Sequence, residues 1–234
     1  GLEDAFLMYA DAFNTGINLY IGQFQTSDPL FKGELRLTLE PYKIYGVKPA
    51  NSSVDLKYDR GIVLEKDIFE GTTLVGQIVN GCGIGEAGEG YLFDKDKYKN
   101  YMGKISQAFG KYVTAGFFGY SGKEVLDVPT GPYTSKILIY GPDISIDLNE
   151  KLIVNFQYIR RTDSEVFIPF SSSFPGPTET DVLTSGGFTE VILSPKGDMS
   201  KWYLTGLYNW VDYERDDHGF DYQAATLHAG YILR

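Results

Sequence analysis

Residues 33–40 read GELRLTLE, so that leucine alternates with charged or polar residues over the seven positions 34–40. Side chains of a β-strand point alternately to its two faces, and this stretch therefore predicts a strand with one hydrocarbon face and one charged face. The same alternation recurs around Leu56, Ile146 and Val154. Its repetition along the chain predicts an all-β protein.

Alternating stretches of this kind predict about twelve strands, each close to ten residues long. From residue 66 onward the predicted connections alternate between short turns and long loops, as in an up-and-down antiparallel meander. The apolar set changes from odd to even positions at Gly141 and Pro142, which predicts a β-bulge there. The predicted strands are 4–13, 16–25, 33–45, 54–65, 72–80, 103–109, 112–121, 134–148, 151–161, 181–193, 201–212 and 221–233.

Composition excludes several classes of protein. The 234 residues, 43% of them hydrophobic, suffice for one large domain, and we expect a single domain over 1–234. The 31 acidic and 21 basic residues give a net charge of −10 without a basic cluster, which argues against a nucleic-acid partner. One cysteine, Cys82, excludes an internal disulfide, a cysteine-based zinc site and a c-type haem. The sequence lacks a recognisable signal peptide, so we expect a mature form or a fragment.

The alternation alone leaves a soluble β-barrel or sandwich open, because leucines packed inside would give the same pattern. Trp202 and Trp210 favour the membrane, since they share one strand face and are eight positions apart. That spacing is ~27 Å along a strand, or roughly 20 Å of height at a tilt of ~40°, close to the distance between two aromatic girdles. Charges of both signs in mid-strand suit a wet lumen. We therefore expect a transmembrane β-barrel with Trp202 and Trp210 in its girdles.

Six phrases stand out: GQF at 22–24, SDPLFK at 27–32, ELRL at 34–37, YDRG at 58–61, VNG at 79–81 and WYLTGLYN at 202–209. Together they resemble a family of bacterial outer-membrane porin-like proteins, whose members often occur beside multihaem c-type cytochromes. The resemblance implies the outer membrane of a Gram-negative-type bacterium and a c-type cytochrome as a partner. Some members carry a Cys-x-x-Cys-His haem motif ahead of the barrel, and this sequence has none.

The end of the sequence also departs from bacterial barrels, which usually finish on an aromatic residue. The chain ends instead at Arg234. We expect the full-length chain to be longer, with up to about fourteen strands.

Candidate catalytic and metal sites have simpler explanations. The GIGEAG stretch at 83–88 matches the dinucleotide-binding pattern, but no helix is predicted after it to receive a pyrophosphate. The acidic loop 213–221 around His218 has oxygen ligands for a hard cation, but a solvated acidic loop is the favoured explanation. The sequence has no nucleophile elbow and no Ser-His-Asp set. We expect neither an enzyme nor a bound cofactor or metal.

The leading hypothesis is an outer-membrane pore for passive diffusion of small hydrophilic solutes or ions, with a preference for cations because carboxylates outnumber basic residues on the polar face. The alternatives are a scaffold that sheathes or docks a c-type cytochrome and a soluble β-barrel enzyme or lectin. Expected partners are membrane lipid, small solutes, and a cytochrome or a second copy of the chain.

The residues predicted to line the pore are Glu34, Arg36, Glu40, Asp55, Lys57, Asp59, Asp143, Asp147, Asn155, Gln157 and His228. The residues predicted to face lipid are Leu35, Leu37, Leu39, Leu152, Val154 and Phe156.

Overall fold

The chain forms an antiparallel sheet in which each strand pairs with its neighbours in sequence. The computed structural model describes residues 5–26, 41–49, 52–85, 94, 96–128, 131–168, 178–213 and 221–231. Within these ranges there are eleven strands and no α-helix, and the prediction of an all-β, up-and-down sheet is confirmed. The strands are β1 (Ala5–Tyr9), β2 (Ile17–Gln25), β3 (Tyr58–Phe69), β4 (Thr72–Val79), β5 (Asn100–Phe109), β6 (Val113–Val128), β7 (Gly131–Asp147), β8 (Leu152–Ile168), β9 (Thr178–Leu193), β10 (Trp202–Tyr213) and β11 (Tyr222–Tyr231).

The described strands number eleven where the sequence predicted about twelve, and the difference lies between β2 and β3. Residues 33–40 of the predicted strand 33–45 lie outside the described residues, and residues 41–45 are not extended: a short 3₁₀ turn covers Lys43–Gly46. β2 pairs directly with β3, Ile21 lying opposite Ile62. No strand can therefore lie between them in the sheet.

The four central strands are longer than predicted, at 16 or 17 residues each. The expected long loops at 122–133 and 162–180 are largely extensions of hairpins, because Val128 pairs with Gly131 and Ile168 with Thr178. The predicted short turns at the opposite end are present at 70–71, 110–112, 148–151 and 194–201. We call this the short-turn end of the sheet.

The predicted bulge at Gly141 and Pro142 is wrong. Tyr140 pairs with Arg160 and Asp143 with Gln157, so no residue is inserted between the two pairs. The apolar set changes parity for another reason. Ile137 and Ile139 are buried on the inward face of β7, whereas Ile144 is exposed on its outward face. Register shifts occur instead within Asp67–Phe69 and Asp163–Val166.

The two faces of the sheet differ sharply in their surroundings. The inward side chains of β2 to β10 meet in one buried apolar cluster, so the sheet curls around them. No described residue covers the outward face, although large apolar side chains occupy it on one strand after another. Examples are Ile62, Leu64, Leu74, Ile78, Ile105, Phe117, Leu138, Ile144, Phe156, Val191, Tyr208 and Leu227, each more than a third exposed.

The sheet ends at β1 and β11, and the described residues of these two strands are not paired with each other. No helix among the described residues is long and apolar enough to cross a membrane.

Candidate functional site

A stretch between β2 and β3 lies inside the curled sheet. We call residues 41–49 and 52–57 the inserted segment. Four of its apolar side chains, those of Ile44, Tyr45, Val54 and Leu56, are at most 4% exposed and belong to the same cluster as the inward residues of the strands. The alternation around Leu56 thus serves interior packing, and the predicted strand 54–65 begins only at Tyr58.

Aromatic contacts and a hydrogen bond attach one end of the inserted segment to β9 and β10. Tyr42 stacks on Phe188, with ring centroids 3.8 Å apart, and Tyr45 meets the same ring edge-on at 5.9 Å. The backbone N–H of Lys43 donates to Asn209 Oδ1 at 3.1 Å. Offset and edge-on aromatic contacts of this kind stabilise beyond the area they bury. These contacts therefore hold the 3₁₀ turn against the inward faces of β9 and β10.

Arg161 on β8 holds the other end of the inserted segment. Its guanidinium donates to the carbonyls of Val47 and Val54 at 2.9 and 2.8 Å and to Ser52 Oγ at 2.9 Å. It also donates to both carboxylate oxygens of Asp163, at 2.8 and 2.7 Å. The planar fork of arginine suits such a set of acceptors, and the Arg161 side chain is 4% exposed. One buried cation thus bridges both sides of the loop.

Two buried carboxylates near this end are bound to backbone donors. Glu124 Oε2 accepts from the N–H and the hydroxyl of Ser53, both at 2.7 Å. Asp59 accepts from the N–H groups of Arg60 and Gly81 at 2.7 and 2.6 Å and is 2% exposed. Asp59 therefore anchors the start of β3 to the β4–β5 connection.

Between the apolar cluster and the short-turn end, the interior becomes polar. We call the inward polar side chains in this region the polar floor. It contains a buried ion pair, in which Lys104 Nζ lies 3.5 Å from Asp143 Oδ2 and the two side chains are 2% and 1% exposed. Gly116 lies opposite Asp143, where a Cβ would be 2.7 Å from the carboxylate. The members of the polar floor are Gln77, Lys104, Asp143, Asn155, Gln157, Glu190, Thr205 and His228.

Hydrogen bonds join side chains of β7, β8 and β9 at the polar floor. Another hydrogen bond joins the polar floor to the inserted segment. Ser145 Oγ donates to Asn155 Oδ1 at 2.9 Å, and Asn155 Nδ2 donates to Glu190 Oε2 at 2.8 Å. Tyr45 donates its hydroxyl proton to Gln157 Oε1 at 2.5 Å. The inserted segment therefore rests directly on the polar floor.

The predicted pore-lining residues separate into three groups. Asp59, Asp143, Asp147, Asn155, Gln157 and His228 have inward positions on strands. Asp55 and Lys57 belong to the inserted segment, where Asp55 forms an ion pair with Lys48 at 3.3 Å, so their assignment to a sheet strand is wrong. Glu34, Arg36 and Glu40 lie outside the described residues. That any of these residues lines a water-filled pore stays a prediction.

The outward face carries the predicted girdle residues. Trp202 and Trp210 both have outward positions on β10, and Trp210 stacks with Phe156 and Tyr208. Leu152, Val154 and Phe156 also have outward positions, on β8. Leu35, Leu37 and Leu39 lie outside the described residues.

Sequence reasoning missed Lys104, Arg161 and Glu190. Alternation along β5 could have identified Lys104, since it shares parity with the buried Met102 while exposed Ile105 has the other parity. No signal in the sequence pairs Arg161 with residues more than a hundred positions away. Among the described residues, no group of three or more histidine, cysteine or acidic side chains could hold a metal ion.

Comparisons with known proteins give one similarity to report. No family model matches the chain, and no curated protein matches it. The chain is similar to a solved structure, a BenF-like porin from Pseudomonas fluorescens Pf-5, at 11% identity and a TM-score of 0.31. That alignment covers 93% of this chain and 75% of the porin. The function is therefore inferred from the residues of this chain.

Proposed function

We propose that the chain is an outer-membrane β-barrel that lets small hydrophilic solutes or ions diffuse through an interior narrowed by the inserted segment. The observation that carries this proposal is the outward face. Leu74, Ile105, Leu138 and Leu227 are between 45% and 71% exposed, and each lies on a different strand. In water such a continuous apolar surface would favour aggregation, whereas a bilayer removes it from water.

Strand direction sets how such a barrel closes. Each strand is antiparallel to the next, so β1 and β11 run in the same direction. An open sheet edge in hydrocarbon leaves backbone N–H and C=O groups without partners, which costs several kcal/mol per group. Direct closure therefore makes a parallel seam between β1 and β11.

The interior suits small solutes because the inserted segment occupies one half of it. Towards the short-turn end, inward side chains are polar and become accessible: Asn18, Ser106, Thr114 and Ser145 are all partly exposed. They form a vestibule that leads to the polar floor. Bacterial barrels carry their short turns on the periplasmic side, which supports a periplasmic vestibule.

The charges of the interior favour cations. Among the described residues between the inserted segment and the short-turn end, the inward carboxylates of Glu65, Asp143, Asp147 and Glu190 outnumber the inward ammonium of Lys104. A lining of one sign raises the local concentration of counter-ions, an effect that shrinks as salt shortens the screening length from ~10 Å at 0.1 M to ~3 Å at 1 M.

Planar-bilayer recording across a salt gradient tests this function. We expect discrete conductance steps and a reversal potential that indicates cation preference at low salt. Glu65→Gln should reduce this preference, because glutamine retains the acceptor that Asn18 and Tyr20 use while removing the charge. Glu165→Gln is the matched control, since this carboxylate is paired with Lys136 on the exposed outer surface. Absence of conductance would refute the pore, and anion preference would refute the selectivity.

The scaffold role with a c-type cytochrome stays a prediction from the family resemblance.

A further inference from the structure

We propose that the outward face of β8, β9 and β10 holds a binding site for a membrane lipid whose head group carries a phosphate and a primary ammonium group, as phosphoethanolamine does. This inference rests on the proposed function, in which the outward face contacts a bilayer. It goes beyond that function because it assigns a class of lipid to Arg160, Ser185 and Asp212.

The outward faces of β8 and β10 change from apolar to charged as the strands leave the short-turn end. On β8 the outward residue Phe156 is followed by Tyr158 and then by Arg160. On β10 the outward residue Trp210 is followed by Asp212. Aromatic residues of membrane proteins are enriched where the apolar band meets the head groups. Arg160 and Asp212 therefore lie at that border.

Arg160 and Asp212 stand on either side of Ser185, and we call these three residues the charged row. Ser185 lies opposite Arg160 where β8 pairs with β9, and opposite Asp212 where β9 pairs with β10. Neighbouring strands are ~4.8 Å apart, so the Cα atoms of the two charged residues are about 10 Å apart. Neither charged side chain forms a hydrogen bond or an ion pair with any described residue. A positive and a negative group are therefore available to a ligand, with a hydroxyl between them.

Aromatic rings lie directly beside the charged row, on the side of the apolar band. Trp210 covers Gly187, the next outward residue of β9 after Ser185, where a Cβ would be 2.8 Å from the indole ring. The indole also stacks with Phe156 and Tyr208, with ring centroids 6.0 and 5.8 Å apart. Trp210 is thus held against the sheet and remains partly exposed. A lipid bound at the charged row would pack its acyl chains against this indole.

The chemistry of the charged row sets the class of lipid. The planar fork of Arg160 suits two oxygens of a phosphate, and the Asp212 carboxylate accepts hydrogen bonds from an ammonium group. The charges of these two residues sum to zero, as do those of a phosphoethanolamine head group. A choline head group has the same charges, but its quaternary nitrogen has no N–H to donate, and a glycerol head group has no cation. The row should therefore prefer phosphoethanolamine to both.

Quenching of tryptophan fluorescence by brominated lipids tests the site. The chain has two tryptophans, so Trp202→Phe leaves Trp210, beside the charged row, as the reporter. The purified full-length chain is reconstituted in phosphatidylcholine vesicles that contain increasing amounts of brominated phosphatidylethanolamine, phosphatidylcholine or phosphatidylglycerol. Around Trp210 the ethanolamine lipid should bind ~5-fold more tightly than the choline lipid, as for a surface ion pair. Trp210→Phe leaves Trp202, at the other end of β10, where these two lipids should quench equally.

Two variants assign the lipid preference to the charged row. Asp212→Asn removes the charge that attracts the ammonium, so the ethanolamine lipid should bind no more tightly than the choline lipid. The same change removes a charge that repels phosphate, so binding of the glycerol lipid should rise. Arg160→Gln should instead lower binding of the glycerol lipid, because the carboxylate of Asp212 remains without a cation beside it. Glu165→Gln is the control and should change none of these results, since this carboxylate is paired with Lys136.

The outcomes separate this inference from the pore. Equal quenching of Trp210 by the ethanolamine and choline lipids, or a preference that Asp212→Asn leaves undiminished, would overturn the site while the pore stands. If no brominated lipid quenches either tryptophan, the outward face does not contact lipid, and both the site and the proposed function are refuted. If the chain carries no current but Trp210 shows the ethanolamine preference, the pore is refuted and the site stands.

Discussion

At the scale of single residues, the inserted segment depends most on Arg161. Replacing it with alanine removes five hydrogen bonds and leaves the Asp163 carboxylate buried at 1% exposure without its cation. Loss of one partner of a buried ion pair costs about 3–5 kcal/mol. We expect Arg161→Ala to lower the free energy of unfolding by about that amount, measured by urea unfolding in lipid vesicles.

Arg160 offers a matched control, since it is the preceding residue on β8 and points to the opposite face. Arg160→Ala should change stability by less than about 1 kcal/mol. If the inserted segment narrows the pore, Arg161→Ala should also raise the conductance while Arg160→Ala does not. Equal effects of the two changes would contradict the role given to Arg161.

Local sequence patterns predicted which face of the sheet a side chain occupies, but not which distant residues it contacts. The shared parity of Trp202 and Trp210 required only alternation along one strand, and both side chains lie on the outward face. The bonds from Arg161 to Val47 and Val54 join residues more than a hundred positions apart, and local periodicity contains no information about such distances. Contacts of that kind depend on the curl of the whole sheet.

At the scale of elements, the alternation of apolar and polar residues predicted strands. It could not show whether the apolar residues face outward or pack in the interior. Val54 and Leu56 alternate with Asp55 as a lipid-facing strand would, yet they are buried in the inserted segment. The shift of parity near Gly141 had the same origin: the interior of β7 is apolar at Ile139 and charged at Asp143. A barrel whose interior is partly apolar gives hydrophobic residues on either face of a strand.

The outward face of β7 allows the membrane to be tested along one element. Leu138 and Ile144 are outward and exposed on β7, and Leu148, directly after the end of the strand, is exposed as well. Substitution by arginine should lower the free energy of unfolding by about 2–4 kcal/mol at Ile144, near the middle of the span 138–148. At Leu138 and Leu148, the ends of that span, it should lower it by about 0–1 kcal/mol. Urea unfolding of each variant in vesicles measures this profile.

Lys136→Arg is the control for this series, because position 136 is also outward on β7 and already carries a positive charge. We expect it to leave stability unchanged. On a surface that faces water, the loss of stability caused by arginine would not depend on position along the strand. Small and equal losses at all three apolar positions would therefore contradict the membrane-facing assignment.

At the scale of the whole molecule, the outer edges of β1 and β11, which pair with no other described strand, decide whether the sheet is a barrel. β1 exposes all five of its residues, and the inward Phe6 and Met8 are 46% and 51% exposed. β11 likewise exposes Leu227 and Tyr231. Pairing of these edges would satisfy their backbone groups and cover part of this apolar surface.

Closure through a parallel seam predicts cysteine cross-links between the two edges. In a background with Cys82→Ser, cysteine at Leu7 should form a disulfide with cysteine at one of Ala225, Leu227 or Ala229, whereas the other two pairs react slowly, because strand register is fixed. Gly206 and Leu227 lie opposite each other on β10 and β11, and cysteines there provide the positive control. Mobility on gels under non-reducing conditions detects each cross-link. If the control pair forms a disulfide and no pair with Leu7 does, β1 and β11 are not neighbours, and a barrel would need another partner at these edges.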